Sequence, residues 1–187
     1  LQQMGFEQTV LARELTLAEM ADIHRAVPEM RLEVFVHGAI CVSYNGQCYA
    51  SQHCFGRSAN RGECAQFCRL AFDLVDADGR VIEQGKHLLS LRDMNRSREL
   101  EALLDAGAVS LKIEGRLKDT AYVKNVVAYY RKQLDQIFRR RLEFQRASNG
   151  RVDIQFEPRP EASFNRGFTN YFLNDRTNDL CNPFTPK

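Results

Sequence analysis

The stretch from His37 to Arg69 constrains this chain most: it carries Cys41, Cys48, Cys54, Cys64 and Cys68, five of the six cysteines, among Gly, Ser, Asn and Gln. No helical or strand periodicity runs through it, so apolar packing alone cannot order it. Cys41 and Cys48 enclose six residues and Cys64 and Cys68 enclose three. Two close pairs joined by a polar loop suggest four thiolates on one metal centre. Free buried thiols fit poorly, because the surroundings are too polar for a core. Structural zinc sites favour two to four residues between paired cysteines, which suits only the second pair. Iron–sulfur clusters accept wider, uneven spacing. Spacing leaves zinc and cluster both open. Cys54 and Cys181 stand outside the two pairs.

The flanks alternate strand and helix. Leu1–Met4 reads as the end of a helix stopped by Gly5, which suggests a piece of a longer protein. Gln8–Ala12 reads as a short buried strand, and Thr16-Leu17-Ala18-Glu19 as a capping box opening a helix that ends at Pro28. Leu32–Val36 is a strand rich in β-branched and aromatic residues. Ala71–Val75 and Val81–Glu83 flank Asp76-Ala77-Asp78-Gly79, a hairpin signal. His87–Leu91 and Val109–Ile113 are further strand candidates, with a helix near Arg96–Ala106 between them. A long helix runs from about Asp119 to Arg141, with Val123, Val126, Val127, Tyr130, Leu134, Ile137 and Phe138 at helical spacing.

This order predicts an α/β fold with parallel strands: the second half of a βα (TIM-type) barrel bearing a cysteine-rich insertion and a small β addition. An open doubly wound sheet is the runner-up. Residues 1–145 form the half-barrel, with the insertion at 37–69. Residues 146–187 begin a following segment or small C-terminal domain with an irregular tail. Without the remaining strands such a piece would have an open edge and would need a partner or self-association.

Polar residues follow each strand: Arg13 and Glu14, then His37, then Arg92 and Asp93, then Glu114 and Arg116. In a βα barrel these positions converge on the C-terminal face, where active sites lie. A strand must also end somewhere polar, so ordinary caps and surface charges are the plain alternative. Three arginines around a pocket suit carboxylates or phosphates, because the guanidinium forms paired hydrogen bonds to both. A lone histidine such as His37 is more often structural than a catalytic base.

The net charge of +2 does not argue for nucleic acid. Arg131, Lys132, Arg139, Arg140, Arg141 and Arg146 are a local basic run, read first as a solvated helix face. No apolar run is long enough to span a bilayer and the first residues resemble no signal peptide, so a cytoplasmic location is expected. Neither a Ser-His-Asp arrangement nor a His-Glu-x-x-His helix is visible.

Glu33–Cys41 (EVFVHGAIC) with Gly46–Ser51 (GQCYAS) closely resembles the signature of the collagenase-like peptidase family, peptidase family U32. Arg61–Arg69 resembles that family's second cysteine pair, Leu111–Arg116 (LKIEGR) its late-barrel motif, and Phe164–Phe168 (FNRGF) its downstream aromatic-Arg-Gly motif. The resemblance implies an N-terminal βα barrel in the full-length protein. It also implies a cluster, 4Fe–4S, on Cys41, Cys48, Cys64 and Cys68. Relatives hydroxylate RNA bases or a ubiquinone precursor without molecular oxygen, and the RNA hydroxylases depend on prephenate. Other members are labelled proteases. By resemblance, Glu114 and Arg116 become pocket candidates, and Arg13 and Glu14 lie in a family-like segment. The expectation is therefore an oxygen-independent tRNA or rRNA hydroxylase. A collagenase-like protease and a zinc-stabilised, non-catalytic RNA-binding module are the alternatives.

Overall fold

β2, Arg31–Gly38, is the centre of the sheet. In the computed structural model the described residues are 1–147, 149–150, 152–176 and 180–181. Alternation along β2 turns Leu32, Val34 and Val36 into a covered face, where all three are buried. β1, Gln8–Val10, pairs parallel with the first half of β2, and β6, Ala108–Ile113, pairs parallel along its other edge. Beyond β1 that first edge passes to β5, Asp93–Asn95, which runs antiparallel to His37 and Gly38. β7, Phe168–Thr169, joins β5 in parallel. The chain is thus a mixed α/β fold.

Three helices cover one face. α1, Leu17–Ala26, starts at the predicted capping box: Glu19 N–H donates to Thr16 Oγ1 at 3.3 Å and Thr16 N–H to the Glu19 carboxylate at 2.8 Å. α4, Thr120–Arg140, starts where the Asp119 carboxylate accepts from Tyr122 N–H at 2.7 Å. The third is labelled α3 below, since a short helix α2, Ala50–Phe55, precedes it; α3 spans Leu100–Asp105 and ends at Gly107, whose φ is +92°. Met20, Leu100, Leu103, Val126 and Ile137 meet the β2 face in one core. Burying side chains of this size contributes about 1.5–3 kcal/mol each. The opposite face is polar near its start: Glu33 accepts from Ser110 Oγ at 2.7 Å and pairs with Lys112 at 3.2 Å.

Some expectations need correction. The stretch 87–91 is a turn, with Ser90 N–H donating to His87 O, and the strand begins at Asp93. β5 is also antiparallel. The insertion leaves and returns at the same end of β2, and no crossover helix carries the chain back to the other end. β1 is a short edge strand, with Val10 45% exposed, rather than a buried one. The residues before Gly5 form a single 3₁₀ turn, Gln2–Met4.

Within the cysteine segment the backbone makes only short turns and α2. A two-stranded hairpin follows, β3 (Phe72–Val75) with β4 (Val81–Lys86). Asp76 Oδ1 closes its turn by accepting from Asp78 and Arg80 N–H. After α4, β7 and the buried Leu173 bring the later residues back onto the sheet and core.

Candidate functional site

Gly38 sets the geometry at the end of β2. Its φ is +108°, and a Cβ there would fall 2.4 Å from Glu114 O, so only glycine lets the two strand ends close up. Glu114 N–H donates to His37 O at 2.8 Å. β1, β2 and β6 therefore deliver Arg13, the cysteine segment and Glu114 to one end of the sheet. Arg13 Nη2 lies 3.4 Å from Glu114 Oε2, and its guanidinium lies 3.7 Å over the Phe35 ring.

A cavity of about 1220 Å³ opens at this end. Cys41, Cys48, Cys64 and Cys68 all border it, as do Arg13, Glu114 and Arg116. Gln66 N–H points at Cys64 Sγ from 3.4 Å. The Ala50 N–H, and then the Ser43 side chain, hold the Cys48 thiol below its usual range. Burial pushes the Cys68 thiol up against the pull of Arg69, and the charges of Cys41, Cys64 and Cys48 add to the rise. Among the described residues no three His, Cys, Asp or Glu side chains are gathered closely enough to hold a metal ion. What the cavity offers is a set of four sulfurs with N–H groups directed at two of them, a donor chemistry that fits a thiolate-bound group.

The remaining candidates sit elsewhere. His37 is buried among Tyr122, Tyr130 and Phe168, with Nδ1 3.3 Å from Tyr130 Oη. Tyr130 Oη itself donates to Val36 O at 2.7 Å. Burial, then the charge of Lys118, pushes the His37 pKa down to about 4. His37 does not border the cavity, and its surroundings are those of a structural histidine. Glu14 is 5% exposed and accepts from Asn45 N–H at 2.5 Å, so it braces a turn of the cysteine segment from behind. Arg92 is half-buried away from the cavity, and its backbone N–H donates to Leu180 O. Cys54 is exposed on α2, and Cys181 Sγ donates to Leu88 O at 3.5 Å.

Sequence reasoning missed Arg69, Lys118, Tyr122 and Arg166, all on the cavity wall. Arg69 reaches the Ile40 carbonyl and, at 3.5 Å, that of Leu91. Arg166 pairs with buried Asp93 at 3.0 Å. The Lys118 ammonium lies 3.8 Å over the Phe164 ring, and burial lowers its pKa. Arg69 directly follows Cys68 and Arg166 sits within the FNRGF motif, so both had a signal; Lys118 had none. The basic run of α4 is largely neutralised within the chain. Arg131 and Arg146 pair with Asp135, Lys132 with Glu157, and Arg140 with Glu101. Arg141 pairs with Glu101, Asp105 and Glu143. No helix among the described residues is long and apolar enough to cross a membrane.

Comparison with known proteins agrees with the motifs. A family model described as peptidase family U32 matches residues 1–182. The chain is 50% identical over 187 residues to the 23S rRNA 5-hydroxycytidine synthase of Escherichia coli, a match covering 100% of this chain and 28% of that protein. It is 37% identical over 137 residues to tRNA hydroxylation protein P1 of Bacillus subtilis, covering 70% of this chain and 32% of the other. It is 33% identical over 180 residues to a collagenase of Porphyromonas gingivalis, covering 89% and 42% respectively. The chain therefore spans well under half of these relatives' lengths. No solved structure matches.

Proposed function

The chain belongs to peptidase family U32, and from that premise we propose that it is part of an RNA base hydroxylase built on an iron–sulfur cluster. One observation carries the reading: Cys41, Cys48, Cys64 and Cys68 border the same cavity as Arg13, Glu114 and Arg116. The two RNA-hydroxylation relatives supply the substrate class. Cys41, Cys48, Cys64 and Cys68 would hold the cluster, 4Fe–4S, which when bound supplies one-electron chemistry. Arg13 is held between Glu114 and the Phe35 ring, which fixes its guanidinium before any ligand arrives. With Arg116, Lys118 and Arg69 it leaves the wall rich in cations, suited to an acidic small molecule such as prephenate. Buried Asp93 balances Arg166, which also lines that wall. RNA is the second partner, and the cytoplasm is where it would be met.

The architecture is proposed as the second half of a βα barrel. Helices α1, α3 and α4 cover one face of the parallel strands β1, β2 and β6, while the other face carries the polar Glu33–Lys112–Ser110 group. Further strands of the full-length protein would enclose that polar face. Residues 146–187 would then open the segment after the barrel.

The test is anaerobic purification of the full-length protein with iron, sulfide and zinc analysis, alongside mass spectrometry of RNA from a Cys64→Ala strain. Bound iron and sulfide, with loss of one hydroxylated base in the variant, is the expected result. A colourless zinc protein would favour the non-catalytic RNA-binding module. The likeness to a collagenase supports a protease as the second reading. Peptide hydrolysis that survives Cys64→Ala, with RNA hydroxylation unchanged, would select it.

A further inference from the structure

We propose that the exposed rim of the cysteine segment is a docking platform for an unpaired RNA strand, an inference that rests on the RNA reading above. The basic run of α4 would be the obvious alternative. Arg139 is exposed and makes no ion pair among the described residues, but Arg131, Lys132, Arg140, Arg141 and Arg146 are engaged with Glu101, Asp105, Asp135 and Glu157. These five would have to surrender a carboxylate before meeting a phosphate, and the gain from releasing counterions shrinks accordingly.

The cysteine segment has the opposite balance. Glu63 is the one carboxylate in 37–69, and it accepts from Ser58 N–H. Arg57 and Arg61 are exposed, and among the described residues neither makes an ion pair. Three large aromatic side chains stand in the same stretch: Tyr44 is 72% exposed, Tyr49 68% and Phe55 53%. Exposed aromatics interleaved with free arginines are what unpaired bases and their phosphates recognise. The ring faces stack on bases and the guanidinium meets the backbone. A duplex hides its base faces, so an unpaired strand is the partner this chemistry fits.

Tyr44, Tyr49, Phe55 and Arg61 adjoin the cavity through their neighbours. Tyr44 lies between cavity-lining Ser43 and Gly46, and Tyr49 between Cys48 and Ala50. The Phe55 ring is 6.1 Å from that of Phe67, which lines the wall. Arg61 precedes Gly62, where a Cβ would fall 2.9 Å from the Arg116 guanidinium. The turn carrying Tyr44 is pinned from below: Asn45 holds a left-handed φ of 48°, and its N–H donates to buried Glu14. A base leaving its stack at this rim has the cavity directly beneath it, as chemistry on a base requires.

The test uses the full-length, cluster-loaded protein and a fluorescently labelled, unstructured oligoribonucleotide, alone and annealed to its complement. The triple variant Tyr44→Ala, Tyr49→Ala, Phe55→Ala should weaken binding to the single strand by roughly tenfold or more, since each stacked base contributes about 1–3 kcal/mol. The variant Tyr44→Phe, Tyr49→Phe, Phe55→Tyr should restore it with unchanged iron content, which separates stacking from folding. Arg57→Ala with Arg61→Ala should lower the salt slope of binding by up to about 1.4, at about 0.7 per single-strand phosphate contact. Lys132→Ala, Arg139→Ala, Arg140→Ala on α4 should leave binding within about twofold. Single-strand binding that is equal in wild type and the alanine triple, or weakened more by the α4 variant, overturns the platform. So does preference for the duplex. Single-strand binding that depends on the rim, without any hydroxylated product, would keep the platform and sink the hydroxylase reading.

Discussion

Leu32, Val34 and Val36 are sealed against Met20, Leu103 and Val126, whereas in residues 41–68 only Ser51 is buried. The first region is a sheet and helices held by apolar area removed from water. The second is a run of short turns tied by isolated hydrogen bonds, such as Ala65 N–H to Ser51 Oγ at 3.1 Å. A segment that buries so little cannot offset its own chain entropy by packing. Ligation of Cys41, Cys48, Cys64 and Cys68, as proposed, would be the stabilising interaction its composition offers. The two regions should therefore respond to different perturbations.

The sharpest separation is expected from Leu103→Ala. Leu103 is fully buried in the α3 contact with the sheet, and truncation should cost about 2–5 kcal/mol in a urea titration. Iron bound per folded chain should not change. If iron falls with stability, the two regions are not independent.

Acid comes next. His37 is neutral in the folded chain, with its pKa pushed down to about 4 by burial, against about 6.5 when unfolded. Above pH 6.5 neither state binds the proton, so nothing is lost. As pH falls from 6.5 towards 4 only the unfolded state is protonated, and stability should drop by up to ~3 kcal/mol. Comparing urea midpoints of the wild type and His37→Gln at neutral and mildly acidic pH should show the variant losing less. An identical acid slope would mean that His37 is not the titrating group.

Smaller effects mark each region by itself. Thr16→Ala removes the acceptor of the Glu19 N–H and should cost about 1 kcal/mol of global stability. Ser51→Ala removes the tie to Ala65 and should cost about 1 kcal/mol or less. Its effect should surface as faster hydrogen exchange within 41–68, with α4 unaffected. Exchange that rises across α4 as well would merge the two regions.

The same division explains what could be read in the sequence. The capping box at Thr16, the strand through Leu32–Val36, the hairpin at Asp76–Gly79 and the bounds of α4 rest on local periodicity and turn chemistry, which a linear reading carries. β5 could not be read this way, because partners distant in sequence fix it. Asp93 pairs with Arg166, and the guanidinium of neighbouring Arg96 donates to the carbonyls of Arg13, Phe35 and Asn170. At the site, motif spacing singled out the four cysteines, Arg13, Glu114 and Arg116. Lys118 reaches the cavity through the start of α4, next to Tyr122 and Phe164, and carries no pattern of its own. Arg131 and Asp135 are an i,i+4 pair, but much of the remaining quieting of the basic run depends on Glu101, Asp105 and Glu157, which no helical spacing relates to it. The neutrality of His37 likewise depends on burial among Tyr122, Tyr130 and Phe168 and on the charge of Lys118, all far along the chain.

The central claim is that Cys41, Cys48, Cys64 and Cys68 together hold one redox cluster at the mouth of the cavity. Its most direct test is iron and acid-labile sulfide analysis, with electron paramagnetic resonance after reduction, on the anaerobically purified full-length protein and its four single Cys→Ala variants. The account predicts about four irons and four sulfides per wild-type chain and a cluster signal lost or altered in each variant, with Cys54→Ala as the unaffected control. Stoichiometric zinc in place of iron, or a signal that survives substitution of these cysteines unchanged, would contradict it.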